Sequence, residues 1–182
     1  GVEQEIILFA DDTNIFVQSL SQAYTAANKV LSEIHNYMTC NKHHINLEKC
    51  CYMHCKKKAK TNPETIDEVD MPIYVNGTEI KKVRETKFLG VIIDQDLTWD
   101  PHIKALSKKL ASCTGSLNRI TQVLPKELHK DLYHTLFESY IAYGITVWGN
   151  STSSTKLKPL FKAQKKALRV VFGDREKYLD KF

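Results

Sequence analysis

Asp11 and Asp12 are adjacent carboxylates between two apolar runs, residues 6–9 and 15–17, with no glycine near them. The runs read as two strands joined by a tight turn whose apparent tip is 10–13. A two-residue hairpin loop ordinarily takes Asn-Gly or another glycine-containing pair. That local preference is given up here, as it is at functional sites. Neighbouring carboxylates repel, and a divalent cation relieves the repulsion. Hard oxygen donors suit magnesium or manganese. Magnesium keeps several waters and takes one or two carboxylates plus substrate phosphates. One Asp pair therefore supplies most, not all, of a phosphoryl-transfer metal site. Aspartate is also a common turn residue, so the pair alone fits an ordinary loop at least as well. Cys40, His43, His44, Cys51 and Cys55 are zinc-ligand types without the paired Cys-x-x-Cys spacing; buried or idle thiols fit them better. Counting Cys50 and Cys113, the cysteines number five. An odd number without a secretion signal reads as reduced thiols in an intracellular setting.

The elements that must hold these residues follow from periodicity. Ile6 and Leu8 lie on one side of the first strand, Ile7 and Phe9 on the other. Strands apolar on both faces belong in the middle of a sheet. Ser19 or Ser21 is placed to cap a helix running to about Thr39, with Ala23, Ala27, Val30, Leu31, Ile34 and Met38 as its apolar stripe. Lys49 falls in the following connector, a flexible point charge suited either to a phosphate or to solvent. A short strand is expected at 51–55. Residues 56–70 are polar, charged and Pro-containing, an exposed loop. Its Lys56, Lys57, Lys58 and Lys60 read as a solvated run, with a phosphate contact or a localisation signal as alternatives.

Asn76-Gly77 is a two-residue hairpin turn between 73–75 and 79–80. Residues 86–94 read as another doubly buried strand. Gly90 within it marks a bulge or the close approach of another backbone, although ordinary sheet packing accounts for it too. Beyond residue 97 the pattern is helical. Asp100 is expected as a cap with Pro101 at the first helical position, and Ile103, Leu106, Leu110, Cys113, Leu117 and Ile120 follow at spacings of three and four. A second helix from about Pro125 carries Leu128, Leu132, Leu136 and Tyr140. Gly144 and Gly149 break the next stretch. A last helix carries Leu157, Leu160, Phe161, Gln164, Leu168 and Val171, and Gly173 stops it.

"FADD" between two apolar strands resembles the catalytic hairpin of reverse transcriptases, and three further segments come in that family's order. "INLEKC" (45–50) resembles the Leu-Asn-x-x-Lys segment after the palm helix. "KFLGVIID" with "LTWDPHI" resembles the primer-grip hairpin and the start of the thumb in non-LTR retrotransposon (LINE, jockey-like) enzymes. "YGITVWG" and "LFKAQKKALRVVFG" resemble the thumb and the helical segment after it. The likeness spans nearly the whole chain. It implies an α+β fold, with a C-terminal part of a polymerase palm (an antiparallel sheet with a crossing helix) over 1–96 and a helical thumb bundle over 97–182. By position it makes Asp11 the carboxylate shared by both metal ions and Asp12 its weaker neighbour. Lys49 becomes the lysine near the triphosphate, Phe9 and Ala10 the residues beneath the primer end, and Phe88, Leu89 and Gly90 the primer grip. Cys50 stands where the family often has threonine. The cofactor implied is Mg2+ or Mn2+, expected only in the complete catalytic domain. The partners implied are an RNA template, a DNA primer and deoxynucleoside triphosphates.

The same resemblance implies a fingers region and a palm strand with a third catalytic Asp, and no Asp precedes Asp11. The chain has no initiator Met and opens almost directly on a strand, which reads as a piece cut from something longer. Isolated, it is expected to polymerise nothing. A non-catalytic remnant that only grips template–primer duplex is the alternative.

Charge supports a polyanion partner. Residues 97–182 hold 15 Lys+Arg against 7 Asp+Glu, while residues 1–96 hold 11 against 14. Lys104, Lys108, Lys109 and Arg119 lie mostly off the stripe of the first thumb helix, and Lys158, Lys162, Lys165, Lys166 and Arg169 off that of the last. As a set they suit phosphates, held without regard to sequence. No apolar run reaches the roughly 18 residues of a membrane span. Family behaviour implies action inside the cell, in the nucleus at the copying step.

Overall fold

The computed structural model describes residues 3–18, 22–55, 72–150 and 152–173. Two compact units divide the chain, Gly1–Val83 and Arg84–Phe182.

In the first unit, β1 (Glu3–Phe9) and β2 (Asp12–Gln18) pair antiparallel from Glu3↔Gln18 to Phe9↔Asp12. The expected burial on both faces does not occur: Ile6, Leu8, Phe9 and Phe16 are all exposed, Leu8 by 69%. The sheet has two strands only among the described residues, and α1 (Ala23–Cys40) packs on it chiefly through β2. Ile7, Ile15 and Val17 are half-buried. The proposed caps Ser19 and Ser21 lie outside the described residues, as does the 56–70 segment with its lysine run; Gln22 occupies the cap position of α1.

The core of this unit is small. Tyr24, off the expected stripe, is buried with Ile73, Val75 and Ile80, and Ala27, Leu31, Ile45, Leu47 and Tyr52 pack around them. Short strands frame it. β3 (Cys51–Tyr52) runs parallel to β6 (Lys81–Lys82), and β4 (Tyr74–Val75) is antiparallel to β5 (Thr78–Glu79). Asn76 (φ 49°) and Gly77 (φ 75°) form the turn between β4 and β5, as their types demand. The Asn28 side chain accepts the Tyr74 N–H at 2.8 Å, fastening that hairpin to α1.

The second unit begins with the hairpin β7 (Glu85–Phe88) and β8 (Val91–Asp94). Residues 86–94 are thus two strands and a turn, not one strand. The two compact units divide at 83/84, and Val91 and Ile93 pack on the helical core of the second. α2 (Asp100–Ile120) and α6 (Ser154–Phe172) form the spine of that core. Ile103, Leu106, Leu110 and Leu117 of the expected α2 stripe are buried. Lys156 near the start of α6 pairs with Asp100 at the start of α2, 2.6 Å apart.

The helical run from Lys126 to Ala142 departs most from its pattern. A 3-10 turn (Lys126–Leu128) leads into α3 (His129–Tyr133), a π-helical stretch (His134–Glu138) and α4 (Ser139–Ala142). Its buried side chains are His129, Tyr133 and Phe137, one position beyond the expected Leu128, Leu132 and Leu136. One residue rotates the face by about 100°, so Leu128 and Tyr140 are left exposed. Tyr133 and Phe137 stack with ring centres 5.5 Å apart. α5 (Ile145–Trp148) follows Gly144. On α6 the buried residues are Leu160, Ala167 and Val171, while Phe161 points out. Gly173, at φ 75°, ends the helix.

Candidate polymerase carboxylates, turn and basic face

The β1–β2 register closes on Phe9↔Asp12, which leaves Ala10 and Asp11 as the two-residue loop. Asp12 is therefore the first residue of β2, and Thr13 pairs with Leu8. The tip is two residues, not four. Ala10 has φ 53°, the left-handed value that such a loop reserves for glycine. A non-glycine residue held there costs about 1–3 kcal/mol, a strain that concentrates at functional positions. The loop puts Asp11 at the apex and Asp12 across from Phe9, and all three side chains are exposed. The carboxylates are thus open to water.

Do these residues fit a divalent cation? Two carboxylates on consecutive residues are hard donors in the number magnesium accepts from protein. Among the described residues no third His, Cys, Asp or Glu joins them. They fit one ion completed by water and substrate phosphates, and fall short of a two-ion centre by themselves.

Lys49 sits in an exposed turn held by Lys49 N–H to Asn46 C=O (3.2 Å) and Cys50 N–H to Leu47 C=O (3.2 Å). Its side chain is exposed and in no ion pair among the described residues. The zinc alternative finds no support among the described residues: Cys40, His43, His44, Cys51 and Cys55 form no metal-holding group. Burial, and then the neighbouring Cys51, push the Cys50 thiol up.

In the second unit, Leu89 (φ 44°) and Gly90 (φ 88°) form the β7–β8 turn, both with positive φ as a type I′ loop requires. Gly90 is needed for that turn and not for a bulge. What approaches it closely is a side chain, the Tyr143 ring, instead of a backbone.

Sequence reasoning passed over the groups that fix this hairpin to α2. Asp94, 7% exposed, ends β8. Its carboxylate accepts the N–H groups of Asp96 (3.2 Å), Thr98 (3.1 Å) and Trp99 (2.8 Å) and the Thr98 hydroxyl (3.2 Å). This loop carries two left-handed residues, Leu97 and Trp99. Asp94 thereby organises the approach to α2, with Trp99 at its cap position and Asp100 already helical. An Asp at a strand end with Thr four residues on was the available signal, since short polar side chains bond nearby backbone. His102, also buried, accepts the Ile92 N–H at its Nδ1, 3.4 Å away. Its Nε2 is buried without a partner.

These two groups give the second unit an acid response. Burial holds His102 below its ordinary 6.5. The unfolded chain therefore takes up the proton first, and stability falls as pH drops through about 6.5 until the folded value is passed. Burial pushes Asp94 up, but its hydrogen bonds outweigh that and hold it below its ordinary 3.8. Its contribution is full above about 3.8 and is lost as pH falls through the lower folded value. Trp99 and Trp148 are the chain's two tryptophans and both are buried in this unit. The urea midpoint of their fluorescence should fall between about pH 7 and pH 5 and again below about pH 4. A midpoint flat from pH 7 to pH 5 contradicts the His102 assignment.

The basic residues are where the pattern placed them. Lys104, Lys108, Lys109 and Arg119 on α2 are exposed, as are Lys158, Lys162, Lys165, Lys166 and Arg169 on α6. Lys109 lies 4.9 Å over the Tyr140 ring. At about 100° per residue the five α6 cations share an arc of roughly 100°. None of the five makes an ion pair among the described residues.

Residues 2–93 match the family described as "Reverse transcriptase (RNA-dependent DNA polymerase)". The chain is 26% identical over 95 residues to the "Probable RNA-directed DNA polymerase from transposon BS" of Drosophila melanogaster, a match covering 50% of this chain and 10% of that protein. It is 32% identical over 79 residues to the "Retrovirus-related Pol polyprotein from type-1 retrotransposable element R1" of Bradysia coprophila, covering 42% of this chain and 8% of that one. The matches span a tenth or less of these relatives' length. No solved structure gives a significant match. The family match takes in both aspartates, the strained loop, Lys49 and the β7–β8 turn, and over half of its length the chain belongs to the reverse transcriptase (RNA-dependent DNA polymerase) family.

Proposed function

We propose that residues 1–182 are part of the RNA-directed DNA polymerase of a non-LTR, jockey-like retrotransposon, contributing palm elements and a thumb. The observation that carries this reading is the Ala10–Asp11 loop. A family-matched hairpin accepts left-handed backbone at an alanine and places one carboxylate at its apex and the next on the first rung of β2. The exposed apolar faces of β1 and β2 suit a ribbon that further palm strands cover in a longer polymerase.

In the reaction proposed, a primer 3′-hydroxyl attacks the α-phosphate of a deoxynucleoside triphosphate paired to an RNA template, and pyrophosphate leaves. Asp11 and Asp12, together with a carboxylate from another strand of the intact enzyme, would hold divalent cations, which would supply positive charge to offset the negative charge developing on the phosphate. Lys49 neutralises the triphosphate and gives a proton to the departing pyrophosphate. Phe9 and Ala10 lie beneath the primer end, Phe88, Leu89 and Gly90 grip the primer strand, and the α2 and α6 cations hold the duplex by its phosphates. The protein acts in the nucleus at the copying step.

The experiment is a salt titration of RNA–DNA hybrid binding by the 182-residue chain, with primer extension run alongside. If each of the five α6 cations takes one phosphate, those contacts alone should make log K against log salt fall with a slope of about −4.5, regardless of sequence, and phosphate contacts by the α2 cations should steepen it. No extension should occur, because two carboxylates alone do not complete the two-ion centre. Failure to bind hybrid at about 50 mM salt, where electrostatic binding is strong, contradicts the proposal. Magnesium-dependent extension by this chain contradicts the division of the centre. The water-exposed acids also favour a second reading, a non-catalytic module that grips duplex only.

A further inference from the structure

We propose that Tyr143 is a positioning residue for the primer strand, holding the Leu89–Gly90 turn in the left-handed conformation in which it meets nucleic acid. This rests on reading residues 88–90 as the primer grip. Leu89 is the strained member of the turn, a branched, bulky residue at φ 44°, where glycine or asparagine is ordinarily found. Such a conformation persists only where its surroundings over-determine it. The Tyr143 hydroxyl donates to the Leu89 carbonyl at 2.5 Å, joining residues 54 apart in sequence. The Tyr143 ring lies against Gly90, where an added Cβ would come within 3.0 Å of Cε1. Next along the chain, a Cβ on Gly144 would come within 3.1 Å of Val91 Cγ2. Two consecutive residues of the α4–α5 bend thus sit directly on the hairpin tip.

Tyr143 is itself held. Its carbonyl accepts the indole N–H of Trp148 at 3.2 Å, and Trp148 is 1% exposed in the core. On its other side, Trp148 lies 5.4 Å, ring centre to ring centre, from His102, which accepts the Ile92 N–H of the same hairpin. The contacts close a circuit from the tip of the hairpin through α5 and α2 back to β8. Burial does not explain Tyr143, since 56% of it is exposed. A turn carbonyl at the surface could take a water instead, so what the tyrosine adds is a fixed position for the turn.

Tyr143→Phe keeps the ring and removes the hydroxyl. In the 182-residue chain, amide exchange at Phe88 and Val91, the pair that closes the turn, should quicken about tenfold, consistent with loss of one hydrogen bond. Exchange elsewhere in the second unit should be unchanged. Binding to a hybrid with a recessed 3′ primer end, compared with a blunt hybrid, should lose roughly fivefold of its preference, with blunt binding unaltered. Unchanged exchange overturns the proposal, and so does a primer-end preference equal to that of the wild-type chain. If Tyr143→Phe behaves as wild type while Tyr143→Ala loses the preference, the ring stacks on the nucleic acid and the positioning role is wrong. Absence of any primer-end preference in the wild-type chain instead sinks the primer-grip reading itself, and this inference with it, whatever the exchange rates show.

Discussion

Lys162→Ala combined with Lys166→Ala should weaken RNA–DNA hybrid binding on the order of 10–100-fold near 0.1 M salt and reduce the salt slope by about two, one for each phosphate contact removed. The same change should leave the fold slightly more stable. On α6, Lys158–Lys162, Lys162–Lys166 and Lys165–Arg169 are like charges four residues apart. Each such pair costs a helix about 0.2–0.5 kcal/mol. Both lysines are exposed and neither is in an ion pair among the described residues. Alanine has the highest helix propensity, so the double variant removes repulsion without opening a cavity. Opposite signs for binding and stability separate a phosphate-binding face from a merely solvated one. A solvated face predicts the stability gain with binding unchanged, and that result would contradict the role assigned to α6.

Several elements were legible because their signals are local. Asn76-Gly77 specifies its own turn, and the three–four spacing on α2 and α6 needs only one buried face each to be satisfied. The paired aspartates between two apolar runs likewise mark a hairpin without tertiary help. The register decided the rest: pairing Phe9 with Asp12 takes Asp12 out of the loop, which composition does not reveal. The helical run after Pro125 was misphased because a 3-10 turn and a π-helical stretch break the 3.6-residue period of a regular helix. The burial expected of β1 and β2 is a statement about neighbouring elements, and among the described residues no further strand pairs with either. Tyr143 and His102 were missed for a related reason. They make their decisive contacts 54 and 10 residues away, and no spacing rule reaches that far. The hairpin at 85–94 emerged from family resemblance, whereas its apolar pattern pointed to a single strand.

Asp11→Asn should abolish DNA synthesis by a full-length polymerase that carries this segment. The substitution keeps the shape of the side chain and removes the charge that a divalent cation binds. Asp11 is exposed at the loop apex, so little folding energy depends on it, and its loss should act on chemistry alone. A fall of on the order of 10³-fold in the rate corresponds to about 4 kcal/mol of lost transition-state stabilisation. Asp12→Asn, on the first rung of β2, should cost less. The direct test is single-turnover primer extension by wild-type and Asp11→Asn enzymes with hybrid affinity measured on the same samples. Extension lost with affinity within twofold of wild type (about 0.4 kcal/mol) is the expected result. Extension retained, or extension and affinity falling together, would show that these carboxylates shape the ribbon and do not serve the reaction.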